Sequence, residues 1–284
     1  MKWLKRILLL LLVLIVIAAI GLFLLQHKAK NGWARYETDQ PSLDIDDNQP
    51  AILHFTKTTG WRHSSAIEAS KKAMQELFDQ YNWQLYQTEE GGVFNAQQLA
   101  LFDVVIWDNS TGPVLNEGQQ KAFQTYIENG GGFVGIHGAG DFSHHKWPWY
   151  TDKLICAEFS HHPIKNQIQK TTVFLSETAD SSWTSAPVWS HSDEWYIFHA
   201  SPTLNGASII YHIDGNTIEP NGDLLFLASG YDYGMGELHP VSWTNNVAKG
   251  RSFYTSMGHT AETFSNKSFL DMLVNGIKWA GQID

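Results

Sequence analysis

The chain of 284 residues holds one cysteine, Cys156, so no intrachain disulfide forms and no CxxC metal or redox pair exists. It has no H-E-x-x-H motif and no glycine-rich loop ending in Lys-Ser/Thr, which removes the linear signatures of zincin proteases and phosphate loops. The triple glycine at 130–132 follows a helical pattern and reads as a helix stop. Basic charge is scarce and unevenly placed. Six of the 19 Lys+Arg (Lys2, Lys5, Arg6, Lys28, Lys30, Arg35) fall in the first 36 residues, which contain no acid. The remainder carries 13 basic residues against 29 acidic ones, a formal −16. No nucleic acid partner is expected from such a surface. A neutral or cationic substrate, or a metal, suits that field.

What is present begins with an unbroken apolar run of 19 residues, Ile7 to Leu25. At 1.5 Å per residue it reaches about 28 Å, near the hydrocarbon thickness of a bilayer. Gln26-His27-Lys28 follows, with no small-x-small cleavage site and no lipidation cysteine. Residues 1–27 are therefore expected to act as a signal anchor through the membrane at 7–25. Lys2, Lys5 and Arg6 crowd the short side and favour keeping it in the cytoplasm, which makes the following domain extracytoplasmic, in a periplasm. Residues 28–50, polar and holding Pro41 and Pro50, read as a tether with few contacts, and residues 51–284 as one domain.

Within that domain strand and helix alternate. Ala51–Thr56, Trp83–Gln87, Phe102–Trp107 and Gly132–His137 read as strands. Ser64–Tyr81 and Asn116–Glu128 have apolar residues at helical spacing, and Ser64 or Ser65 offers a cap for the first. Such β–α–β units specify an α/β fold, a parallel sheet with helices on both faces. The later half is β-rich: Gln169–Leu175, Ala207–Ile213, Val241–Thr244 and Arg251–Met257, closed by a helix over Phe269–Ala280.

Ligands of parallel sheets sit outside the carboxyl ends of the strands. The side chains expected there are Lys57, Arg62 and His63 after the first strand, Asp108 after the third, and His137 and Asp141 after the fourth. His137 is flanked by small residues and reads as an accessible, loop-facing ring that contributes little packing. Asp141 serves equally well as a cap. Arg62 and His63 suit substrate hydroxyls or a carboxylate, or merely a loop that starts a helix. His162 and His239 each precede or sit beside proline, Asp193-Glu194 follow His191, and His259 follows Gly258. Any one of these histidines is more often structural than catalytic. Thirteen of them, several in loops, favour a convergence.

Several stretches together resemble the ThuA-like (trehalose-utilisation) family: GWRHSS at 60–65, FDVVIWDN at 102–109, GGGFVGIHGAGD at 130–141, FSHHP at 159–163, DEWY at 193–196, HPVSWT at 239–244, GRSFYTSMGHT at 250–260 and FLDMLVNGIKWA at 269–280. The resemblance spans residue 51 to the C-terminus and departs from the family pattern at Cys156-Ala157. It implies a flavodoxin-like sheet of the class I glutamine amidotransferase kind. His137 then stands where that wider group places a cysteine or serine nucleophile, which excludes glutaminase chemistry. The resemblance also implies an enzyme acting on a sugar or 3-keto-glycoside by isomerisation, elimination or hydrolysis. In it His137, Asp193 and Glu194 are catalytic. Lys57, Arg62, His63, Asp108, Asp141, Trp243 and His259 bind the carbohydrate, and His162 and His239 hold a divalent metal that stabilises an enolate. The alternatives are a non-catalytic carbohydrate-binding or scaffold module and a metal-dependent ester or amide hydrolase. Convergence of His137, His162 and Glu194 on one pocket favours an enzyme over a binding module.

Overall fold

The computed structural model of the chain describes residues 2–46, 48–183, 186–223 and 235–284. The first element, α1 (Lys2–Asn31), contains the apolar run and buries none of its residues. By length and composition it can cross a membrane, and a signal sequence near an N-terminus has the same character.

The first half of the domain runs β1 (Ala51–Phe55), α2 (Ser64–Tyr81), β2 (Gln84–Thr88), the short α3 (Ala96–Leu99), β3 (Val104–Asp108), α4 (Glu117–Glu128) and β4 (Gly132–Ile136). The second half adds β5 (Phe159–His161), β6 (Ile168–Leu175), β7 (Val188–Glu194), β8 (Ile197–Phe198), β9 (Ser208–Asp214), β10 (Leu238–Val247), β11 (Gly250–Thr255) and α5 (Lys267–Gly281). A nine-stranded sheet has the order β2-β1-β3-β4-β11-β10-β9-β6-β7, and β5 pairs with β8 separately. The strands from β2 to β11 are parallel, and those from β11 to β7 are antiparallel. The α/β half and the β-rich half are thus one continuous sheet.

Alternation along the strands divides the core. Ile52, Val104, Ile106, Val134 and Ile136 face α2 and α5, while Leu53, Phe55, Val105, Trp107 and Phe133 face α4. Both faces are buried, which is why these strands read as unbroken apolar runs. The second face is aromatic: Trp107 stacks on Phe123 at 5.5 Å between centroids and also meets Tyr150 at 5.0 Å. Most of the aromatic surplus is therefore core.

Helix caps differ from expectation in one place. α4 has a full capping box on Asn116 and Gln119. α2 starts at Ser64 itself, His63 occupies the cap position, and no side chain caps the helix. His63 is free of that duty because its ring points elsewhere.

The segment before β1 is also not a loose tether. Trp33 N–H donates to Thr59 O (2.9 Å), Gln119 Nε2 to Glu37 O (2.7 Å), Gln98 Nε2 to Pro41 O (2.5 Å), and Asp46 N–H to Gln84 Oε1 (2.7 Å). Residues 32–46 form a strap along the domain, held by backbone groups that sequence periodicity does not report.

Candidate functional site

β1, β3 and β4 end at one edge, and the tight turn after β4 presents His137. Its backbone has φ +46°, a left-handed conformation that an L side chain adopts at a cost. The ring is fully buried. Its Nδ1 lies 2.6 Å from Ser256 O; a carbonyl only accepts, so Nδ1 carries the proton. Nε2 faces His259 Nδ1 at 3.1 Å and Glu194 Oε2 at 3.3 Å. Tyr196 packs on the ring's face at 4.2 Å between centroids.

Glu194 ends β7 and is buried. Its Oε1 meets His162 Nδ1 (3.0 Å) and accepts from Gln167 Nε2 (2.5 Å), while Oε2 faces His137 and His259 (3.2 Å). Burial opposes its charge, but hydrogen bonds from His137, His162 and His259 outweigh that and hold the carboxyl well below its ordinary range. His63 completes the group. Its ring stands edge-on to His137 and to His259, each at 4.9 Å. Burial, with the neighbouring His137 and His259, pushes its pKa well down, and its buried Nδ1 has no hydrogen-bond partner.

His63, His137, His259 and Glu194 place one donor atom each within 4.8 Å of all the others. Donors bonded to a tetrahedral ion at about 2.0–2.1 Å lie roughly 3.3 Å apart. The separations of 3.1, 3.2 and 3.3 Å among His137, His259 and Glu194 match that spacing. An acceptor nitrogen facing a carboxylate at such a distance needs a proton or a cation between them. The residues therefore fit a divalent metal held by three imidazoles and one carboxylate. His162 and Gln167 occupy the other carboxylate oxygen, the arrangement that orients a ligating group.

Asp193 lies behind the cluster. It accepts from Gly258 N–H (2.8 Å), His259 N–H (3.0 Å) and Thr263 Oγ1 (3.0 Å), and it meets His191 Nε2 at 3.1 Å. These contacts fix the turn that carries His259. Gly258 in that turn has φ +120°, and a Cβ there would lie 2.7 Å from Ile136 Cγ2, so glycine is required. Asp193 thus positions a neighbour, and its own acceptor sites are filled.

Other side chains expected at the site lie elsewhere. Lys57 is buried against the strap, where Nζ donates to Arg35 O (2.6 Å) and pairs with Glu37. Arg62 grips Glu89 through both terminal nitrogens (2.8 and 3.1 Å), on the flank of the edge. Asp108 is buried under the turn with His54 Nε2 at 3.0 Å and Asn109 Nδ2 at 3.1 Å. Trp243 is core, its indole donating to Ile155 O (2.7 Å). His239 is core too. Its Nε2 reaches Tyr196 O (3.0 Å), and burial lowers its pKa to about 4, so it braces Tyr196 and stands apart from the four-residue group. His162 touches the group only through Glu194.

Asp141 caps the next turn, accepting from Ser143 N–H (2.8 Å) and Ser143 Oγ. Burial raises its pKa to about 7. It borders a cavity of about 200 Å³ walled by Phe142, His145, Tyr150, Glu158 and Phe159. Phe159 leads back to the cluster through Tyr196, 4.7 Å away between centroids. Cys156 is buried, in a left-handed conformation after the helical turn Tyr150–Ile155, and burial pushes its thiol up to about 12. It stays a thiol and is no nucleophile. No sequence motif signalled Gln167, His54 or the Ser256 carbonyl. They act through positions that only the folded sheet brings near.

A parallel-sheet α/β domain whose strand-end turn carries a histidine in a His/Glu cluster is the class these observations define. The model of the ThuA family, described as trehalose utilisation, matches residues 51–280, and the chain belongs to that family. No curated protein matches it. Among solved structures it is similar to a ThuA-like protein from Bacteroides uniformis (21% identity, 88% of this chain and 95% of the other, TM-score 0.66). It is also similar to one from Parabacteroides merdae (16%, 82% and 90%, TM-score 0.57). The glutaminase domain of the CTPS from Trypanosoma brucei shares the fold (9%, 82% and 95%, TM-score 0.50). At these identities the structural likenesses establish fold alone.

Proposed function

We propose that the chain is a membrane-anchored enzyme that processes a sugar or 3-keto-glycoside at a metal centre made by His63, His137, His259 and Glu194. The observation that carries this reading is the convergence of three imidazoles and one buried carboxylate at metal-ligand spacing on the carboxyl edge of the sheet. His137, His162 and Glu194 meet there, which favours an enzyme over a binding module. The family's description, trehalose utilisation, supports carbohydrate as the substrate class.

A divalent metal held by these residues, with a coordination position left to the substrate, would polarise a carbonyl or hydroxyl oxygen of it. The chain's own residues supply the rest. Ser256 O fixes the His137 tautomer, and Asp193 fixes the His259 backbone. His162 and Gln167 hold Glu194 in one orientation. Asp141, with a pKa near 7 beside the cavity, exchanges a proton at neutral pH. Phe142 and Phe159 offer apolar walls to a pyranose ring, whose carbon-bound hydrogens pack on aromatic faces.

The test is incubation of detergent-extracted protein with trehalose and its 3-keto derivative, with and without chelator, followed by mass spectrometry. The expected result is a chelator-sensitive product from the oxidised sugar. Unchanged sugars in a metal-loaded, folded sample contradict the reading.

A further inference from the structure

The end of α1 does not project freely from the domain. Trp33 N–H donates to Thr59 O (2.9 Å), and Gly32 is so close to the loops that a Cβ would lie 2.8 Å from Pro113 Cδ and 2.9 Å from Thr59 O. A Cβ on Gly60 would lie 3.4 Å from Lys28 O, and α1 also packs on the turn Phe142–His144. Residues 59–61 follow β1, residues 111–113 follow β3, and residues 142–144 follow β4. All three are loops of the carboxyl edge, and the first runs directly into His63. The apolar run ends at Leu25. The six residues to Asn31 rise only about 9 Å at 1.5 Å each. Headgroup regions add roughly 5–8 Å on each side of the hydrocarbon, so a helix that spans the bilayer brings these loops to the headgroups.

The side chains on that edge match such a surface. Trp33 and Trp61 are half exposed (50% and 51%), and Tyr36 (43%) and Phe142 (38%) are also exposed. Tryptophan and tyrosine favour the membrane interface. Lys28, Lys30 and Arg35 surround the helix end, while the rest of the domain is strongly acidic. The basic collar attracts anionic headgroups and the acidic remainder does not.

We propose that the carboxyl edge, through Trp33, Trp61 and Phe142, is seated on the bilayer that α1 spans, so that the His/Glu centre opens beside the lipid headgroups. This rests on α1 being retained as an anchor. It differs from that reading in fixing which face of the domain meets the membrane.

The experiment uses the full chain with Cys156→Ser and one added cysteine, Trp61→Cys, Phe142→Cys or Lys249→Cys, each carrying an environment-sensitive fluorophore. Lys249 lies in the β10–β11 turn at the opposite edge. Each variant is reconstituted in vesicles of phosphatidylcholine and phosphatidylglycerol, with and without nitroxide-labelled lipid. The fluorophores at 61 and 142 are expected to lose most of their emission to the nitroxide, and the one at 249 to keep it. Carbonate-resistant pelleting with the vesicles reads anchoring separately. Pelleting without quenching at 61 and 142, or with equal quenching at 249, overturns the seating while anchoring stands. Failure to pellet overturns both.

Discussion

At the scale of single residues, the site depends on side chains whose protonation is set by their neighbours. His137 was expected to be a loop-facing ring with little packing, but it is fully buried and holds Ser256 O and the face of Tyr196. His137→Ala should therefore cost about 1–3 kcal/mol of stability, because it orphans a buried carbonyl. It should also remove the chelator-sensitive turnover, because a ligand of the proposed centre is lost; denaturant titration and steady-state rates measure the two effects. Asp141 gives a pH signature. Its folded pKa is raised by burial to about 7 from 3.8. The native state then binds the proton more tightly than the unfolded chain does. The stability this confers is full below pH 4 and is lost as pH rises through 7, an effect on the order of a few kcal/mol. Asp141→Asn keeps a neutral side chain throughout. The melting temperature of Asp141→Asn relative to the natural chain should therefore climb between pH 4 and 8. A difference independent of pH contradicts the buried, protonated carboxyl. Cys156→Ser should leave turnover unchanged, since the thiol is buried, stays protonated and is not one of the four clustered donors.

At the scale of elements, the strap before β1 is part of the domain. Lys57 is a buried cation whose partners, Arg35 O and Glu37, both belong to it. Removing one partner of a buried ion pair costs about 3–5 kcal/mol. A chain starting at residue 32 should melt close to the intact domain, whereas one starting at residue 50 should lose several kcal/mol in urea titration. Equal stability of the two truncations contradicts the strap. This is also where sequence reading met its limit. The strands of the first half were legible because both faces of β1, β3 and β4 are buried, which leaves unbroken apolar runs between turn residues. The strap was not, because it is held by carbonyls at Glu37, Arg35 and Pro41, and any residue supplies a carbonyl. For the same reason Lys57, Arg62 and Trp243 looked available for ligand while Glu37, Glu89 and Ile155 O claim them.

At the scale of the molecule, the parallel strands bring His63, His137 and His259 to one edge, and the antiparallel part of the sheet delivers Glu194 to the same place. The edge was legible from β–α alternation, and His63, His137, Glu194 and His259 were all among the candidates; that these four form one donor set was not legible. His63 read as a substrate contact, and His239 as a ligand, because loop position says nothing about where a ring turns. The direct test of the centre is metal stoichiometry. The purified full chain, stripped with chelator and titrated with cobalt(II), should bind one ion with visible ligand-field absorption from the N- and O-ligated ion. His63→Ala and Glu194→Gln should lose that absorption, while His239→Gln should keep it. Absence of a saturable one-to-one signal in the natural chain, or its persistence in both His63→Ala and Glu194→Gln, would contradict a metal centre built on these four residues.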